Sequence, residues 1–364
     1  MTCRRCGHPE ERHNALAGCM AEGCACPGFL AGFPGDGEED GRGRPAQADR
    51  LVELGLAGAE VFCDPRGVAF AQVRCGGHVE YHAVRSRAFR RWLAGRFYEA
   101  TAGKAPNAEA LGAALLVLEA KAQFGDTPPR PVYLRVAPDG DGGLYIDLGD
   151  TTWEAIHVSG GGWRVVADPP VAFRRPPGLG ALPRPERGGD LEELRGFLNL
   201  GSDDGWALLE AWLVQALYPR GPYPVLALGG EQGSAKSTSA RVLRALVDPA
   251  TPELRSDPRE LRDLMVAAEN GWLLAFDNVS RVQPWLSDAL CRLSTGGGWA
   301  TRELYSDADE VLFEATRPVI VNGITEFITR GDLLDRAVQL RLPPIPEHAR
   351  RREGELWAEF ERAR

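Results

Sequence analysis

The residues best suited to chemistry form one glycine-rich run: Gly230, Glu231, Gln232, Gly233, Ser234, Ala235, Lys236, Ser237 and Thr238. Glycines let backbone N–H groups turn toward phosphate oxygens, and a following helix adds the positive end of its dipole. In this pattern Lys236 would reach the β- and γ-phosphates of a nucleotide, Ser237 would ligate Mg²⁺, and Thr238 would lie on the α-phosphate side. The run therefore predicts a phosphate-binding loop that holds ATP.

One position departs from the phosphate-loop pattern G-x-x-x-x-G-K-[ST]. Gly230 opens the loop, but Ala235 stands where the second glycine belongs. Alanine is small enough for phosphate to approach closely, although a positive φ would strain it. An ordinary glycine- and serine-rich turn is the alternative. The flanking elements argue against it, because the apolar run Val225–Leu228 predicts a buried strand and an amphipathic helix follows the loop.

A second apolar run, Trp272–Phe276, ends in Asp277 and Asn278. An acid at the carboxyl end of a buried strand downstream of a phosphate loop is typical of the residue that holds Mg²⁺, so Ser237 and Asp277 are the predicted magnesium residues. Many ATPases of this kind place a carboxylate at the position of Asn278. An amide can orient water but cannot accept its proton, so we expect slow hydrolysis or another general base.

A third apolar strand, Arg317–Val321, ends in Asn322. An asparagine there can hydrogen-bond the attacking water or the γ-phosphate. Arg336 follows this strand, where an arginine finger could reach the γ-phosphate of a neighbouring subunit. A surface arginine at a helix end is the equal alternative for Arg336.

Five of the eight cysteines fall within the first 26 residues, with His8 and His13 among them. So short a segment cannot bury a core, and four ligands on Zn²⁺ would fold it. The candidate zinc ligands are Cys3, Cys6, His13, Cys19, Cys24 and Cys26. Disulfides and a disordered cysteine-rich tag are the alternatives, and the sequence does not decide which four residues bind.

Composition and charge limit the class of protein. No apolar run approaches the roughly 20 residues that a membrane helix needs, and the N-terminus lacks the apolar region of a secretory signal. We therefore expect a cytoplasmic protein without a membrane partner. The net charge of −9 argues against a surface that coats DNA generally, but it leaves room for a local basic channel.

The chain divides by composition into six segments. These are a zinc-binding segment (1–30), a flexible linker (31–49), an α+β domain (50–168), a proline-rich linker (169–189), a P-loop α/β domain (190–345) and a C-terminal helix (346–364). Within the α+β domain, Val132–Val136 is a predicted strand, and Ala83–Ala100 is a predicted helix with five interleaved arginines. It is either a solvated helix face, the stronger interpretation, or a surface for nucleic-acid phosphates. His82 and His157 have no evident partner and are interpreted as structural.

Five features follow one another along the chain: the phosphate loop, Asp277-Asn278, a Gly-Gly-Gly…Thr-Arg-Glu-Leu-Tyr segment, Asn322 and Arg336. This order resembles the superfamily 3 helicase branch of the AAA+ ATPases. The resemblance is strongest to phage- and plasmid-type primase-helicases related to the poxvirus helicase. The chain is also similar to actinobacterial mobile-element ATP-binding proteins that share the Gly-Glu-Gln-Gly-Ser-Ala-Lys-Ser-Thr loop, which would make Ala235 a subgroup feature. The similarity covers about residues 190–345, and residues 1–168 show no primase signature.

This resemblance implies an AAA+ fold and a hexameric ring that acts on DNA, with single-stranded DNA in its pore. It also implies a pore hairpin between Asp277 and Asn322, in or near which Arg302 would lie, and an Arg336 finger acting in trans. Relatives often continue with further helices beyond the point that corresponds to Arg364.

The sequence as a whole predicts a Mg²⁺-dependent ATPase, a DNA helicase or translocase of mobile-element replication. One alternative is a nucleotide-gated switch or loader that hydrolyses ATP poorly and recruits DNA or a protein, and Asn278 favours it. A small-molecule P-loop kinase is the other alternative, and the absence of an evident lid in the sequence speaks against it.

Overall fold

The computed structural model describes residues 46–302, 310–324 and 326–364, and it describes residues 13–14, 18–19, 299–302 and 310–312 by their backbone alone. The chain divides into two compact units, Met1–Ala46 and Gln47–Arg364. In the first unit, strand β1 (His13–Asn14) pairs antiparallel with β2 (Gly18–Cys19). The side chains of the six predicted zinc ligands lie outside the described residues, so the zinc site stays a prediction.

The second unit begins with three helices packed on one face of a three-stranded sheet. The elements are α1 (Gln47–Gly58), β3 (Ala59–Cys63), β4 (Ala69–Cys75), β5 (His78–Ala83), α2 (Arg87–Ala100) and α3 (Ala108–Phe124). The strands pair antiparallel in the order β3-β4-β5, and Leu51, Phe89 and Leu118 lie in the core beneath the helices. Helix α2 starts four residues later than predicted, because the Ser86 side chain accepts a hydrogen bond from the Phe89 N–H and caps the helix there.

Short strands follow in two further sheets. They are β6 (Val132–Tyr133), β7 (Val136–Pro138), β8 (Leu144–Asp147), β9 (Ala155–Ser159), β10 (Gly162–Val166) and β11 (Ala172–Phe173). An antiparallel sheet has the order β7-β8-β9-β10, and β6 pairs in parallel with β11. The sequence predicts one strand over Val132–Val136, and this was wrong. The strand breaks at Leu134 and Arg135, because the Arg135 guanidinium is buried and bonds to Asp248 and to the Asp147 carbonyl.

The two histidines interpreted as unpartnered both have acidic partners. The His82 Nε2 lies 2.7 Å from Glu80 Oε2, and the His157 Nε2 lies 3.1 Å from Asp139 Oδ2. Glu80 also contacts His78, and these contacts lower the pKa of the Glu80 carboxyl. The sequence did not reveal these partners. Glu80 is two residues from His82 on the same face of β5, and Asp139 lies on a different element from His157.

The C-terminal half is built on a parallel sheet. Its elements are a 3₁₀ helix (Leu191–Phe197), α4 (Asp203–Ala216), β12 (Val225–Gly229), α5 (Lys236–Val247), β13 (Arg255–Ser256), α6 (Leu261–Asn270), β14 (Leu274–Asp277), α7 (Pro284–Thr295), β15 (Gly297–Arg302), β16 (Glu310–Ala315), β17 (Val319–Gly323), α8 (Gly331–Leu334), β18 (Ala337–Arg341), a second 3₁₀ helix (Glu347–Ala349) and α9 (Glu353–Ala363). The predicted C-terminal helix (346–364) is therefore interrupted between Ala349 and Glu353. The five parallel strands have the order β13-β14-β17-β12-β18.

This topology gathers the polar strand ends at one edge of the sheet. Strands β12, β14 and β17 are apolar and buried along most of their length, as expected for central strands covered on both faces. Because the strands are parallel, the phosphate loop after β12, Asp277 at the end of β14 and Asn322 near the end of β17 share the carboxyl edge. The strand ending in Asn322 lies between the other two. Strands β15 and β16 form an antiparallel hairpin between β14 and β17 in the chain.

Two charged clusters join the N-terminal elements of this unit to the parallel sheet. The Arg135 Nε donates to Asp248 Oδ1 at 2.9 Å, and the two side chains are 0% and 2% exposed. Asp248, directly after α5, also accepts from the N–H groups of Trp272 and Leu273 at 3.1 Å. In the second cluster, Arg66 and Arg174 both contact Glu269 at the end of α6.

Arg317 lies in the three-residue connection between the hairpin and β17. Its Nε donates to the carbonyls of Ala268 and Gly271, and its N–H donates to the Leu293 carbonyl. Burial lowers the pKa of Arg317 to about 10, so the guanidinium stays charged at neutral pH. Among the described helices, none is both long and apolar enough to cross a membrane.

Candidate nucleotide site

The backbone of the predicted phosphate loop bends sharply at Gly230, Gly233 and Ala235. A Cβ added at Gly230 would lie 2.6 Å from both the Leu342 carbonyl oxygen and the Ser234 Oγ, so only glycine fits there. Gly233 has φ +80°, and Ala235 takes the left-handed conformation (φ +62°, ψ +30°) directly before α5. Ala235 therefore has the positive φ that, according to the sequence analysis, would strain an alanine at this position.

We expect Ala235→Gly to raise the melting temperature by about 1–3 °C. Relief of left-handed strain, about 1–2 kcal/mol, outweighs the greater entropy of glycine in the unfolded chain. The affinity for ATP should stay within about twofold, because phosphate oxygens bind the loop through N–H groups that both residues supply. Thermal unfolding and titration with ATP measure the two quantities.

Ala102 is a matched control for this substitution, because it also has a positive φ (+51°) and lies in the loop after α2. Ala102→Gly should raise the melting temperature similarly. A lower melting temperature for Ala235→Gly alone would show that the loop tolerates alanine without strain.

Lys236 opens helix α5 and points back over the loop. Its Nζ donates to the Glu231 carbonyl at 2.7 Å and lies 3.3 Å from the Ser234 Oγ. Burial lowers the pKa of the Lys236 ammonium, and the nearby Asp277 carboxylate partly opposes this shift. The ammonium thus lies inside the loop and donates to the Glu231 carbonyl oxygen. A phosphate oxygen could accept this hydrogen bond instead.

The two predicted magnesium residues lie side by side. The Ser237 Oγ donates to Asp277 Oδ1 at 2.7 Å, although 40 residues separate them in the chain. A hydroxyl and a carboxylate are the hard oxygen donors that Mg²⁺ prefers, and this ion keeps several waters while it binds substrate phosphates. The donor set therefore fits a magnesium ion at the mouth of the loop.

Asn322 and Asn278 form the third part of the site. The Asn278 N–H donates to Asn322 Oδ1 at 3.0 Å, and Asn278 has φ +55°, a conformation that asparagine, aspartate and glycine tolerate best. Asn322 is 1% exposed, and its Nδ2 has no hydrogen-bond partner in the described part of the chain. A buried donor without a partner costs about 1–3 kcal/mol, so the amide is suited to a ligand oxygen or a water.

The structure does not bring Arg336 to this site. Strands β12 and β18 are parallel, Val225 pairs with Ala337, and the Val225 N–H donates to the Arg336 carbonyl. Arg336 therefore lies at the amino edge of the sheet, opposite the loop, with its exposed guanidinium bonded to the Asp332 carbonyl at 2.7 Å. Arg302 ends β15 in the hairpin, opposite Glu310, and its side chain lies outside the described residues.

A cavity of about 700 Å³ opens beside the loop, and sequence reasoning missed it. Its loop side is formed by Gly233, Ala235 and Thr238. The other walls come from two distant segments. Their apolar part is Phe197, Leu198, Pro343, Pro344, Ile345 and Leu356, and Asn199, Arg350, Arg351 and Glu353 add polar and charged groups. No motif marks these residues, because only the path of the chain brings them together.

The segment after β18 crosses over the phosphate loop. The Ile345 N–H donates to the Gly233 carbonyl at 3.1 Å, and the Leu342 N–H donates to the Gly229 carbonyl at 2.8 Å. A Cβ added at Gly233 would lie 2.8 Å from the Arg350 Nη2, so this guanidinium stands against the loop. The loop is thus fixed from outside as well as by its own strand and helix.

Residues 191–364 match the family described as the actinomycete integrative conjugative element replication protein. None of the curated proteins matches this sequence. Among solved structures, the apo structure of the NrS-1 C-terminal region (305–718) is 15% identical, with a TM-score of 0.47 over 88% of this chain and 68% of that chain. JCV helicase bound to an acetamide compound is 16% identical, with a TM-score of 0.28 over 39% and 41% of the two chains. TM-scores below 0.5 do not establish a shared fold.

Proposed function

We propose that this protein is a Mg²⁺-dependent ATPase that unwinds or moves along DNA during replication of a mobile element. The contact between Ser237 and Asp277 carries the proposal, because it joins the first turn after a phosphate loop to an acid at the end of a neighbouring parallel strand. The similarity of residues 191–364 to a replication protein family supports the biological setting. The finer assignment to superfamily 3 of the AAA+ ATPases rests on the motif order given above.

The residues of the site divide the work of binding ATP. Backbone N–H groups of the loop and the Lys236 ammonium bind the phosphates, and the cavity beside Thr238, with its apolar and polar walls, accepts the base. Ser237 and Asp277 would hold the magnesium ion, which neutralises charge on the β- and γ-phosphate oxygens when bound.

Hydrolysis then needs one water on the γ-phosphorus. The water oxygen forms a bond to that phosphorus, the bond to the β-phosphate oxygen breaks, and the water proton leaves to phosphate or solvent. The unpartnered Asn322 Nδ2 donates a hydrogen bond to the water or to a γ-phosphate oxygen. Asn278 orients the water without taking its proton, so turnover without a partner is slow.

Steady-state ATP hydrolysis with and without single-stranded DNA tests this function. We expect slow turnover that DNA raises, and we expect Asn278→Asp to raise the basal rate, because aspartate tolerates the left-handed backbone and can take the proton. Asn278→Ala is the control that removes the amide without adding a base. If the wild type binds ATP without turnover in the presence of DNA, and only Asn278→Asp hydrolyses it, the motor is excluded and the nucleotide-gated switch or loader remains.

Arg336 is proposed to complete the site of a neighbouring copy in a ring, because its own loop lies at the far edge of the sheet. Arg336→Ala should then lose most turnover while it keeps its ATP affinity. A one-to-one mixture of Arg336→Ala and Lys236→Ala should regain about a quarter of the wild-type rate. Lys236→Ala retains the finger and Arg336→Ala retains the loop, so random neighbours in a head-to-tail ring combine the two at one site in four. Mixtures that show only the sum of the two separate rates would exclude a finger acting in trans.

A further inference from the structure

Helix α2 carries a concentration of positive charge in a chain that is negative overall. Between residues 85 and 104 the sequence has six cations and one acid, Glu99, whereas the whole chain has a net charge of −9. The cations are Arg85, Arg87, Arg90, Arg91, Arg96 and Lys104. This local excess is separate from the nucleotide site, which lies on another sheet.

Three of these arginines are exposed and free of acids. Arg85 pairs with Glu119, and Arg96 pairs with Glu99. Arg87, Arg90 and Arg91 have no acidic partner among residues 46–302 or in the rest of the described chain, and all three are exposed. Their positive charge is therefore available to a ligand.

Arg87 and Arg91 share the outward side of α2 with an aromatic ring, and Arg90 is exposed on the flank of the helix. Phe89, Leu93 and Phe97 are buried against the domain core, so residues on the opposite side of the helix face solvent. Arg87, Arg91 and Tyr98 follow one another there at spacings of four and seven residues, and Tyr98 is 56% exposed. We call Arg87, Arg90, Arg91 and Tyr98 the α2 ridge. From Arg87 to Tyr98 it runs about 16 Å, at 1.5 Å per residue.

The position of the charges is unfavourable for the helix itself. The first turn of α2 has no acidic residue and begins with Arg87. Cations near a helix N-terminus oppose the helix dipole and destabilise the first turn. Helix stability therefore does not explain these arginines.

We propose that the α2 ridge binds single-stranded DNA, with phosphates on the arginines and a base stacked on Tyr98. Single-strand binding proteins combine cationic grooves with exposed aromatic rings in this way. The proposal rests on the proposed function for its choice of DNA, and it adds a binding surface outside both the nucleotide site and the hairpin. It adopts the nucleic-acid interpretation of this helix in place of the solvated face that the sequence analysis favoured.

Fluorescence anisotropy with a labelled oligothymidylate, measured without nucleotide over a range of salt concentrations, tests the ridge. The triple variant Arg87→Ala/Arg90→Ala/Arg91→Ala should reduce the slope of log affinity against log salt by about 2, since each single-strand phosphate contact contributes about 0.7. Tyr98→Leu should weaken binding about 5- to 50-fold and leave the slope unchanged, because stacking releases no counterion.

The matched control is Arg164→Ala/Arg352→Ala/Arg362→Ala, which removes the same charge from exposed positions elsewhere. It should keep the wild-type slope, and circular dichroism should show all variants folded. Equal slopes for both triple variants would overturn the ridge. Lys236→Ala should bind the oligonucleotide normally, because Lys236 lies in the nucleotide site and not on the ridge. A wild type that binds the oligonucleotide through the ridge but shows no ATP hydrolysis with or without DNA would overturn the proposed function alone. Absence of single-strand binding in the wild type would overturn the ridge directly.

Discussion

Lys236→Ala is expected to reduce ATP turnover by about 10²–10³-fold and to weaken ATP binding. Among the described residues, Lys236 has the only positively charged side chain that lies inside the phosphate loop, and the substitution removes it. The ammonium is held over the loop by the Glu231 carbonyl, so it is already in place before phosphate arrives. Turnover measured by phosphate release and affinity measured by titration with a labelled ATP analogue separate the two effects.

Lys121→Ala is the matched control, because Lys121 is exposed on α3 and far from the loop in the chain. It should behave as the wild type in both assays. Lys236→Arg tests geometry as well as charge, since a planar guanidinium does not replace a compact ammonium. Full turnover in Lys236→Ala would contradict the assignment of this loop as the nucleotide site.

Asp248→Ala is expected to destabilise the protein by about 3–5 kcal/mol, because it leaves the buried Arg135 guanidinium without its counter-charge. It also removes the acceptor for two buried N–H groups, those of Trp272 and Leu273. These bonds join the N-terminal part of the unit to the segment after α5. Unfolding in urea, monitored by tryptophan fluorescence, should show the loss.

An exposed ion pair provides the comparison. Glu53→Ala breaks the ion pair between Glu53 and Arg50, whose side chains are 57% and 43% exposed respectively. This substitution should lower the free energy of unfolding by less than about 1 kcal/mol. The double variant Arg135→Met/Asp248→Leu should recover part of the loss, since no unpaired charge remains. A cost below 1 kcal/mol for Asp248→Ala would show that Arg135 finds another partner or water.

The parallel layout of the site followed from the sequence because each of its parts has a strong local pattern. One apolar run leads into the glycine-rich loop and two others end in Asp277 and Asn322, a pattern typical of strands in a parallel sheet. The contact between Ser237 and Asp277 agrees with that layout. The sequence predicted strain at Ala235 only if its φ were positive. It could not predict the sign of φ, because that depends on how the loop meets the helix.

The rest of the site depends on contacts between distant segments, which periodicity does not reveal. The cavity beside Thr238 needs Phe197 and Ile345, about 150 residues apart in the chain. Arg135 broke a strand whose apolar pattern looked continuous, because an acid 113 residues away binds its guanidinium. Charged side chains in the interior follow such partners rather than local propensity.

Arg317 gives the hairpin a fixed joint. Moving it would withdraw a charged guanidinium from the carbonyls at the end of α6, at a cost of several kcal/mol. The base of the hairpin and the start of β17 therefore share one anchor, and Asn322 lies near the far end of the same strand. The hairpin and the strand that carries Asn322 are thus tied to the end of α6 at a single buried charge.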